Sequence, residues 1–506
     1  MKSFLKKLDA HSNLMFAAIL VGLFFFLGQT AYFFSGPTGT HFFRQADSLS
    51  FVSGYFKNGY HFFEPSLLNL KSIDGKAASE FPLIYFFTAL LFPVFGAHFF
   101  LLKLIHLLIC YTGVFYFFRL VKFLLKDSFY AGIISLFIFT STVFNYYSFN
   151  YLPDSAALGF VLIGWYFIFQ FKETGFKKQA LISILFFTLG GLTKIPFAIS
   201  LLTIFVTGLL ILILNKRDTT VFSKAKFSVF ILFVGVLAIV FWNGYMLFYN
   251  EIYASNAFIS KSYPIWGMTR ESISIVWLHI HDFWYTRYLA HSSYHLLYAM
   301  LFLQLFLFRK ANRLLSFLVI LLFLGTLSFS LLFFHQFQDH DYYALVAIPF
   351  LLFLLVNAIL TLQRKTNNKW IHWSVKLLFS IIVIAGINYS RMKLPSSYLA
   401  TGDSHYQASK IILAHSNEIS NLKIPRSSKI IIGTDESLNG GLLFMDRKGW
   451  TLTKFDELTN DYLTEKIKKG ADYFILTKND EAYQEILHKR GEVVLNKPDL
   501  IVYQLK

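Results

Sequence analysis

The sequence predicts an α-helical polytopic membrane protein with a small C-terminal α/β domain, and three observations carry that expectation. The 506 residues are 55% hydrophobic and only 15% charged, with a mean hydropathy of +0.52, whereas about a quarter of an ordinary soluble domain is charged. Apolar runs of bilayer-spanning length recur up to position 389, and basic residues fall between alternate runs. After position 395 the composition turns to Lys, Glu, Asp and Asn, interleaved with short β-type runs.

The N-terminal MKSFLKKLDAHSN is basic and leads into an apolar run of about 20 residues, longer than the core of a cleavable signal, so it reads as a retained first helix starting in the cytoplasm. A span needs roughly 17 to 25 apolar residues. Such runs lie at 14–36, 97–121, 129–146, 154–171, 179–194, 196–214, 228–249, 294–308, 314–334, 342–362 and 372–389, about eleven spans in all. Every even-numbered exit is basic: Arg119, Lys122 and Lys126; Lys172, Lys177 and Lys178; Lys216, Arg217, Lys224 and Lys226; Arg309, Lys310 and Arg313; Arg364, Lys365 and Lys369. The opposite turns, NYYSFNYLPD (145–154) and FHQFQDHD (334–341), contain no Lys or Arg. Basic loops stay on the cytoplasmic side; the N-terminus is therefore expected inside and the C-terminal segment outside.

One apolar stretch, FPLIYFFTALLFPVFG (81–96), is left out of the spans because inserting it would send every later basic loop outward. It is expected to be an interfacial or re-entrant helix pair broken near Pro93 and Gly96. The fifth and sixth spans meet at GGLTKIPF (190–197), where glycines and Pro196 impose a tight turn. The outer face then holds a first loop over 37–96, the turn ending at Asp154, the turn with Lys194, a loop over 250–293, and the turn with His335, Asp339, His340 and Asp341.

In the C-terminal segment, SKIIIGT (428–434), DYFILT (472–477), EVVLN (492–496) and LIVYQL (500–505) read as strands, with FDELTNDYLTEKIKKG and NDEAYQEILHKRG as helices between them. The domain boundaries expected are 1–394 and 395–506. The glycine-bearing GTDESLNGG (433–441) lacks the G-x-G-x-x-G pattern and reads as an ordinary strand-to-loop turn.

Composition also excludes. A net charge of +17 would suit nucleic acid only if the basic residues shared one soluble face; here they sit mostly in short loops. Cys110, the single cysteine, lies in an apolar stretch and reads as a small packing residue, so there is no disulfide framework. His106, mid-span, reads as a hydrogen-bonded packing residue.

Ionised side chains near a bilayer are costly and usually have a partner or a task. That puts weight on HFFRQADSLSF (41–51) at the lip of the first span. Its plain reading is an Arg44–Asp47 pair three residues apart on a helix. The wider stretch, with Arg44-Gln45-Ala46-Asp47 and later Glu80-Phe81-Pro82-Leu83, resembles the first outer loop of GT-C glycosyltransferases of the protein O-mannosyltransferase-like class, in the same broad fold as the lipid A aminoarabinose transferases. The likeness continues at YLPD (151–154), GLTK (191–194) and HDYYALVAIP (340–349); the C-terminal domain falls outside it.

The resemblance implies an inverting transferase that takes a sugar from a polyprenyl-phosphate donor and passes it to a hydroxyl acceptor, whether glycolipid, polysaccharide or protein, at the extracytoplasmic face of a bacterial inner membrane. Asp47 matches the catalytic acidic position and is the expected base for the acceptor hydroxyl. The leaving lipid phosphate gains negative charge and needs cations already in place. Lys194 is assigned to it, with a lysine snorkelling at a helix end as the plain alternative; Arg270, Arg287 and His340 are further candidates. Arg44, Glu80, Asp154 and Tyr343 are expected to grip sugar or acceptor hydroxyls. No metal-ligand spacing is visible; a divalent cation, if used, would sit on Asp47, Glu80 and Asp154. For His335, Asp339 and Asp341 the expectation is a solvated turn. Two rivals predict other things: a transporter or flippase requires polar residues at mid-membrane depth, glycine- or proline-broken helices in matching halves and internal repeats, and a non-catalytic subunit would leave Asp47 dispensable.

Overall fold

The computed structural model describes residues 2–214, 219–258, 261–399, 403–454, 457–477 and 481–506. Lys216 and Arg217 lie outside the described residues, as do 455–456 and 479–480 at the starts of the two helical segments expected near the C-terminus. The chain forms two compact units. One comprises Met1–Phe33, Lys103–Asn243 and Ser260–Pro395; the other comprises Phe34–Leu102, Gly244–Ile259 and Ser396–Lys506.

The first unit is helical. The helices long and apolar enough to cross a membrane are seven among the described residues: Phe100–Leu125, Asp154–Thr174, Ile195–Leu214, Lys224–Ile252, Arg313–Leu332, Asp341–Lys365 and Lys369–Tyr398. An eighth is added if Ser128–Thr140 and Thr142–Ser148, bent by 88° at Ser141, count as one span. The remaining expected spans correspond to the apolar part of the first helix, His11–Phe26, and to the helices Lys177–Thr193 and His291–Phe306, of 17 and 16 residues. The bend is local in origin: Ser141 is extended and its hydroxyl accepts from the Phe144 amide, capping a new helix.

The most deeply buried of these helices is Asp154–Thr174. A Cβ on Gly113 would lie 2.4 Å from the Gly159 carbonyl oxygen, and one on Gly159 would lie 2.5 Å from that of Ile109. Backbones that approach this closely need small residues at the crossing, as is common between membrane helices. Cys110 is buried in the same stretch. Hydroxyls tie further pairs: the Trp165 indole donates to Ser200 Oγ at 3.1 Å and Ser183 Oγ to the Gly164 carbonyl at 2.8 Å. Lys122 donates to Ser12 and Asn13, each at 2.8 Å, so the start of the apolar part of the first helix meets the end of Phe100–Leu125.

The second unit is built on a five-stranded sheet: β1 Lys429–Gly433, β2 Gly449–Thr451, β3 Ala471–Leu476, β4 Gly491–Lys497 and β5 Leu500–Leu505. The order is β2-β1-β3-β5-β4, parallel from β2 to β3 and antiparallel beyond. The four strands expected from sequence are present; β2, only three residues long, was not anticipated. Trp450, Leu463, Phe474, Leu487 and Tyr503 fill the core on one face.

Residues 68–70 are stitched to this sheet. Leu70 donates to the Gly449 carbonyl at 2.7 Å and Gly449 to that of Leu68 at 3.1 Å, pairing the loop with the β2 edge and satisfying groups that would otherwise be an open edge. The 81–96 stretch is one helix, Leu83–Phe95, rather than a broken pair: Pro93 lies in its last turn, so the lost N–H bond and the ring's crowding of the i−4 carbonyl fall at the helix end, and Gly96 ends it with φ 85°.

Candidate functional site

The Arg44–Asp47 stretch forms the first turns of the helix Phe42–Asn58. His41, with φ 58°, turns the chain into the helix, and the Gln45 amide reaches back to the carbonyls of Thr38 at 2.7 Å and Thr40 at 3.0 Å. Further along the helix, a Cβ at Gly54 would stand 2.1 Å from the Ser66 carbonyl; only glycine lets the loop lie against this helix. Residues three or four apart share a helix face, so Arg44, Asp47, Ser48 and Phe51 point the same way.

Arg44 holds two carboxylates. Its Nη1 lies 3.3 Å from Asp47 Oδ2 and its Nη2 lies 3.6 Å from Glu80 Oε2, while its guanidinium sits 5.1 Å over the Phe258 ring. Glu80 also accepts from the Tyr85 and Ser79 hydroxyls. Tyr85 opens the helix after Pro82, pairs with Ser48 Oγ at 3.2 Å and stacks on Phe51. The three residues expected here from sequence are thus brought together.

The other oxygen of Asp47 was not anticipated to have a partner. Asn439 Nδ2 donates to Asp47 Oδ1 at 2.8 Å across 392 positions. Asn439 is in turn fixed at its carbonyl by Ser50 Oγ at 3.0 Å and the Asn69 amide at 3.2 Å. It belongs to GTDESLNGG, the loop that read as an ordinary turn. Within that loop, buried Asp435 accepts from the Ser437 and Gly441 amides at 2.9 and 2.8 Å, which shapes the backbone presenting Asn439.

Burial pushes the Asp47 carboxyl up to about 6, against the downward pull of the Arg44 charge and of the hydrogen bonds from Asn439 and Arg44; Glu80 adds to the rise. The group is an anion at neutral pH and a neutral acid about one unit below 6. A carboxylate in that range, with 12% of its side chain exposed, can accept a proton from a bound hydroxyl.

A second cluster belongs to the first unit. Lys194 caps the end of Lys177–Thr193, and Asp154 opens its antiparallel neighbour Asp154–Thr174. Lys194 Nζ lies 3.8 Å from Asp154 Oδ2 and 5.6 Å from the Tyr342 ring centre. Tyr342 packs edge-on against Tyr147 and His340, and His340 stacks on Tyr343. Tyr343 and His340 both bond to Gln336, at 3.2 Å through its side chain and 3.0 Å through its carbonyl. Asp154, Lys194, His340 and Tyr343 therefore lie in one neighbourhood.

Asp341 corrects the expectation of a solvated turn: it is fully buried and accepts from the Tyr147 hydroxyl at 2.6 Å. The bend at Ser141 carries Tyr147 on its short second helix. His335 and Asp339 are exposed. Arg270 stands exposed at the start of the helix Arg270–His279 and makes no ion pair among the described residues; Arg287 lies over the Trp284 ring. His106 is buried with Nδ1 2.9 Å from the Asn150 carbonyl, a packing role. Sequence reasoning overlooked Lys103, buried in the first turn of Phe100–Leu125, where it donates to the Tyr32 carbonyl and faces the Phe149 and Tyr151 rings. As for a divalent cation, Asp47 and Glu80 share Arg44, Asp154 faces Lys194, and no group of three or more His, Cys, Asp or Glu among the described residues is placed to hold a metal.

A family model described as dolichyl-phosphate-mannose-protein mannosyltransferase matches residues 79–242, less than half of the chain. No curated protein matches in sequence. Among solved structures, the chain is similar to ArnT from Cupriavidus metallidurans in the apo state, at TM-score 0.60 and 12% identity over 97% of both chains. It is similar to the same protein bound to undecaprenyl phosphate, at TM-score 0.57 and 12% identity over 97% of both. It is also similar to the archaeal oligosaccharyltransferase AglB from Archaeoglobus fulgidus in complex with an inhibitory peptide and a dolichol-phosphate, at TM-score 0.51 and 11% identity over 94% of this chain and 70% of that one. The chain shares its fold with ArnT and, over a smaller part of that protein, with AglB.

Proposed function

We propose that the protein is an inverting glycosyltransferase that moves a sugar from a polyprenyl-phosphate-linked donor to a hydroxyl acceptor at the extracytoplasmic surface of a bacterial inner membrane. The observation that carries the reading is the Asp47 carboxylate, oriented from both sides by Arg44 and Asn439 and able to take up a proton near neutral pH. Further support comes from the matching family description, dolichyl-phosphate-mannose-protein mannosyltransferase, and from relatives in fold bound to undecaprenyl phosphate and dolichol-phosphate.

In this reading Asp47 takes the proton of the acceptor hydroxyl as its oxygen attacks the anomeric carbon from the face opposite the phosphate. The anomeric carbon–oxygen bond to the phosphate breaks, its electron pair stays on the lipid phosphate, and the configuration inverts. Lys194 holds that phosphate. Its ammonium faces Asp154 at 3.8 Å, a weak pairing that a more highly charged phosphate can displace. Arg44 and Glu80 orient Asp47 and offer hydrogen bonds to sugar or acceptor hydroxyls; His340 and Tyr343 line the donor side with Tyr342. Acceptor classes in keeping with the reading are glycolipid, polysaccharide and protein.

The test is transfer from a panel of undecaprenyl-phosphate-linked sugars by membranes containing wild type or Asp47→Asn, read alongside mass spectrometry of envelope glycans from a strain lacking the chain. Loss of one glycan substituent, restored by wild type and not by Asp47→Asn, is expected. Full restoration by Asp47→Asn would remove the catalytic reading.

A further inference from the structure

Away from Asp47, the second unit contains a cavity of about 730 Å³ whose walls differ in chemistry. The lining has an apolar part, Phe56 of the Phe42–Asn58 helix, Phe92 of the Leu83–Phe95 helix, Phe99 and Phe444. It also has a cationic part, Lys57, Arg426, Lys429 and Lys448, with a single carboxylate, Asp446. Asp446 is already matched to Lys57 at 2.7 Å. Lys429 and Lys448 bond to neutral oxygens, of the Lys469 backbone and the Asn58 side chain, and exposed Arg426 has no hydrogen bond or ion pair among the described residues. Three positive charges thus converge with no counter-ion in the cavity wall. Burial, with Lys57 and Lys429 nearby, pulls the Lys448 ammonium below its usual range, while Asp74 opposes the shift; an anion in the cavity would relieve that crowding.

The Leu83–Phe95 helix joins this cavity to an apolar surface. Phe92 faces the cavity, while Phe87, Leu90 and Val94 on the same helix are exposed at 51%, 43% and 74%. Positions 87, 90 and 94 follow helical spacing, and such an apolar stripe on a short helix suits the headgroup–acyl boundary of a bilayer. A polyanion without an apolar part would leave the phenylalanine wall and this stripe uncovered.

We infer that the cavity bounded by Phe56, Phe92, Arg426, Lys429 and Lys448 binds the phosphate headgroup of an anionic lipid, with the start of its acyl chains against the phenylalanine wall. The cavity lining does not include Asp47 or the residues bonded to it, and the inference does not rest on the proposed transfer reaction.

The full-length protein in neutral detergent is titrated with short-chain phosphatidic acid, short-chain phosphatidylcholine and inorganic phosphate, with bound ligand counted by native mass spectrometry. Phosphatidic acid is expected to bind about tenfold or more tightly than either of the others. The double substitution Arg426→Gln with Lys429→Gln is expected to abolish that preference, whereas Lys489→Gln with Lys506→Gln, an equal charge change at exposed positions outside the cavity, leaves it intact. Inorganic phosphate binding as tightly as phosphatidic acid would overturn the lipid assignment, and equal phosphatidic acid affinity in both double variants would overturn the site.

Discussion

Asp47 and Asp154 are both buried carboxylates facing a cation, and the cations beside them are held differently. Asp47 is gripped on both oxygens, by Asn439 at 2.8 Å and Arg44 at 3.3 Å, within a network that runs through Ser50 and Asn69 and binds Arg44 also to Glu80. Lys194 stands 3.8 Å from Asp154 and, with 17% of its side chain exposed, makes no other ion pair among the described residues. A tight, many-membered grip suits a group that must keep its direction while a proton arrives. A loose pairing suits a cation that must exchange one anion for another. Within the proposed reaction, the difference suits a fixed role for Asp47 and an exchangeable one for Lys194.

Replacing the fixed group should have the largest effect. Asp47→Asn preserves size and the Asn439 contact region while removing basicity, so kcat is expected to fall by about 10² to 10⁴, measured at saturating donor. Lys194→Ala should lower kcat by about 10² to 10³, in line with loss of one preorganised charge at a leaving group, and should weaken binding of polyprenyl phosphate alone. Asp154→Asn should cost about tenfold at most, mainly in KM for the donor, because it removes a placeholder rather than a reacting group. An Asp154→Asn loss as large as that of Asp47→Asn would erase the contrast between the two sites.

The sequence disclosed one side of this arrangement better than the other. Arg44, Asp47 and Glu80 sit in compact local motifs flanked by long apolar runs, and the cost of charge near a bilayer makes such motifs conspicuous. Asn439 had no such signal: a neutral amide in a glycine-bearing turn acquires its role only when the loop shaped by Asp435 meets the Phe42–Asn58 helix. Asp341 looked solvated for a similar reason, since its partner Tyr147 arrives by way of an 88° break that neither proline nor glycine marks. The hydroxyl run Thr140-Ser141-Thr142 was the available clue, through the capping preference of serine. The membrane helices followed from apolar run length and loop charge, and four of the five strands from short β-type runs, whereas β2 is too short for such a run to register. The pairing of residues 68–70 with its edge was invisible for the same reason.

The central claim, that the Asp47 carboxylate is the titrating base, is tested most directly by the pH dependence of kcat/KM for sugar transfer in wild type and Asn439→Ala. Wild type is expected to lose activity on acidification through about pH 6, by about tenfold for each further unit, as the carboxylate is protonated. The Asn439 hydrogen bond lowers the Asp47 pKa, so removing it raises that pKa and should move the acid limb to higher pH, with only a few-fold loss on the plateau. An acid limb that stays in place in Asn439→Ala, or its absence from the wild-type profile, would contradict the account.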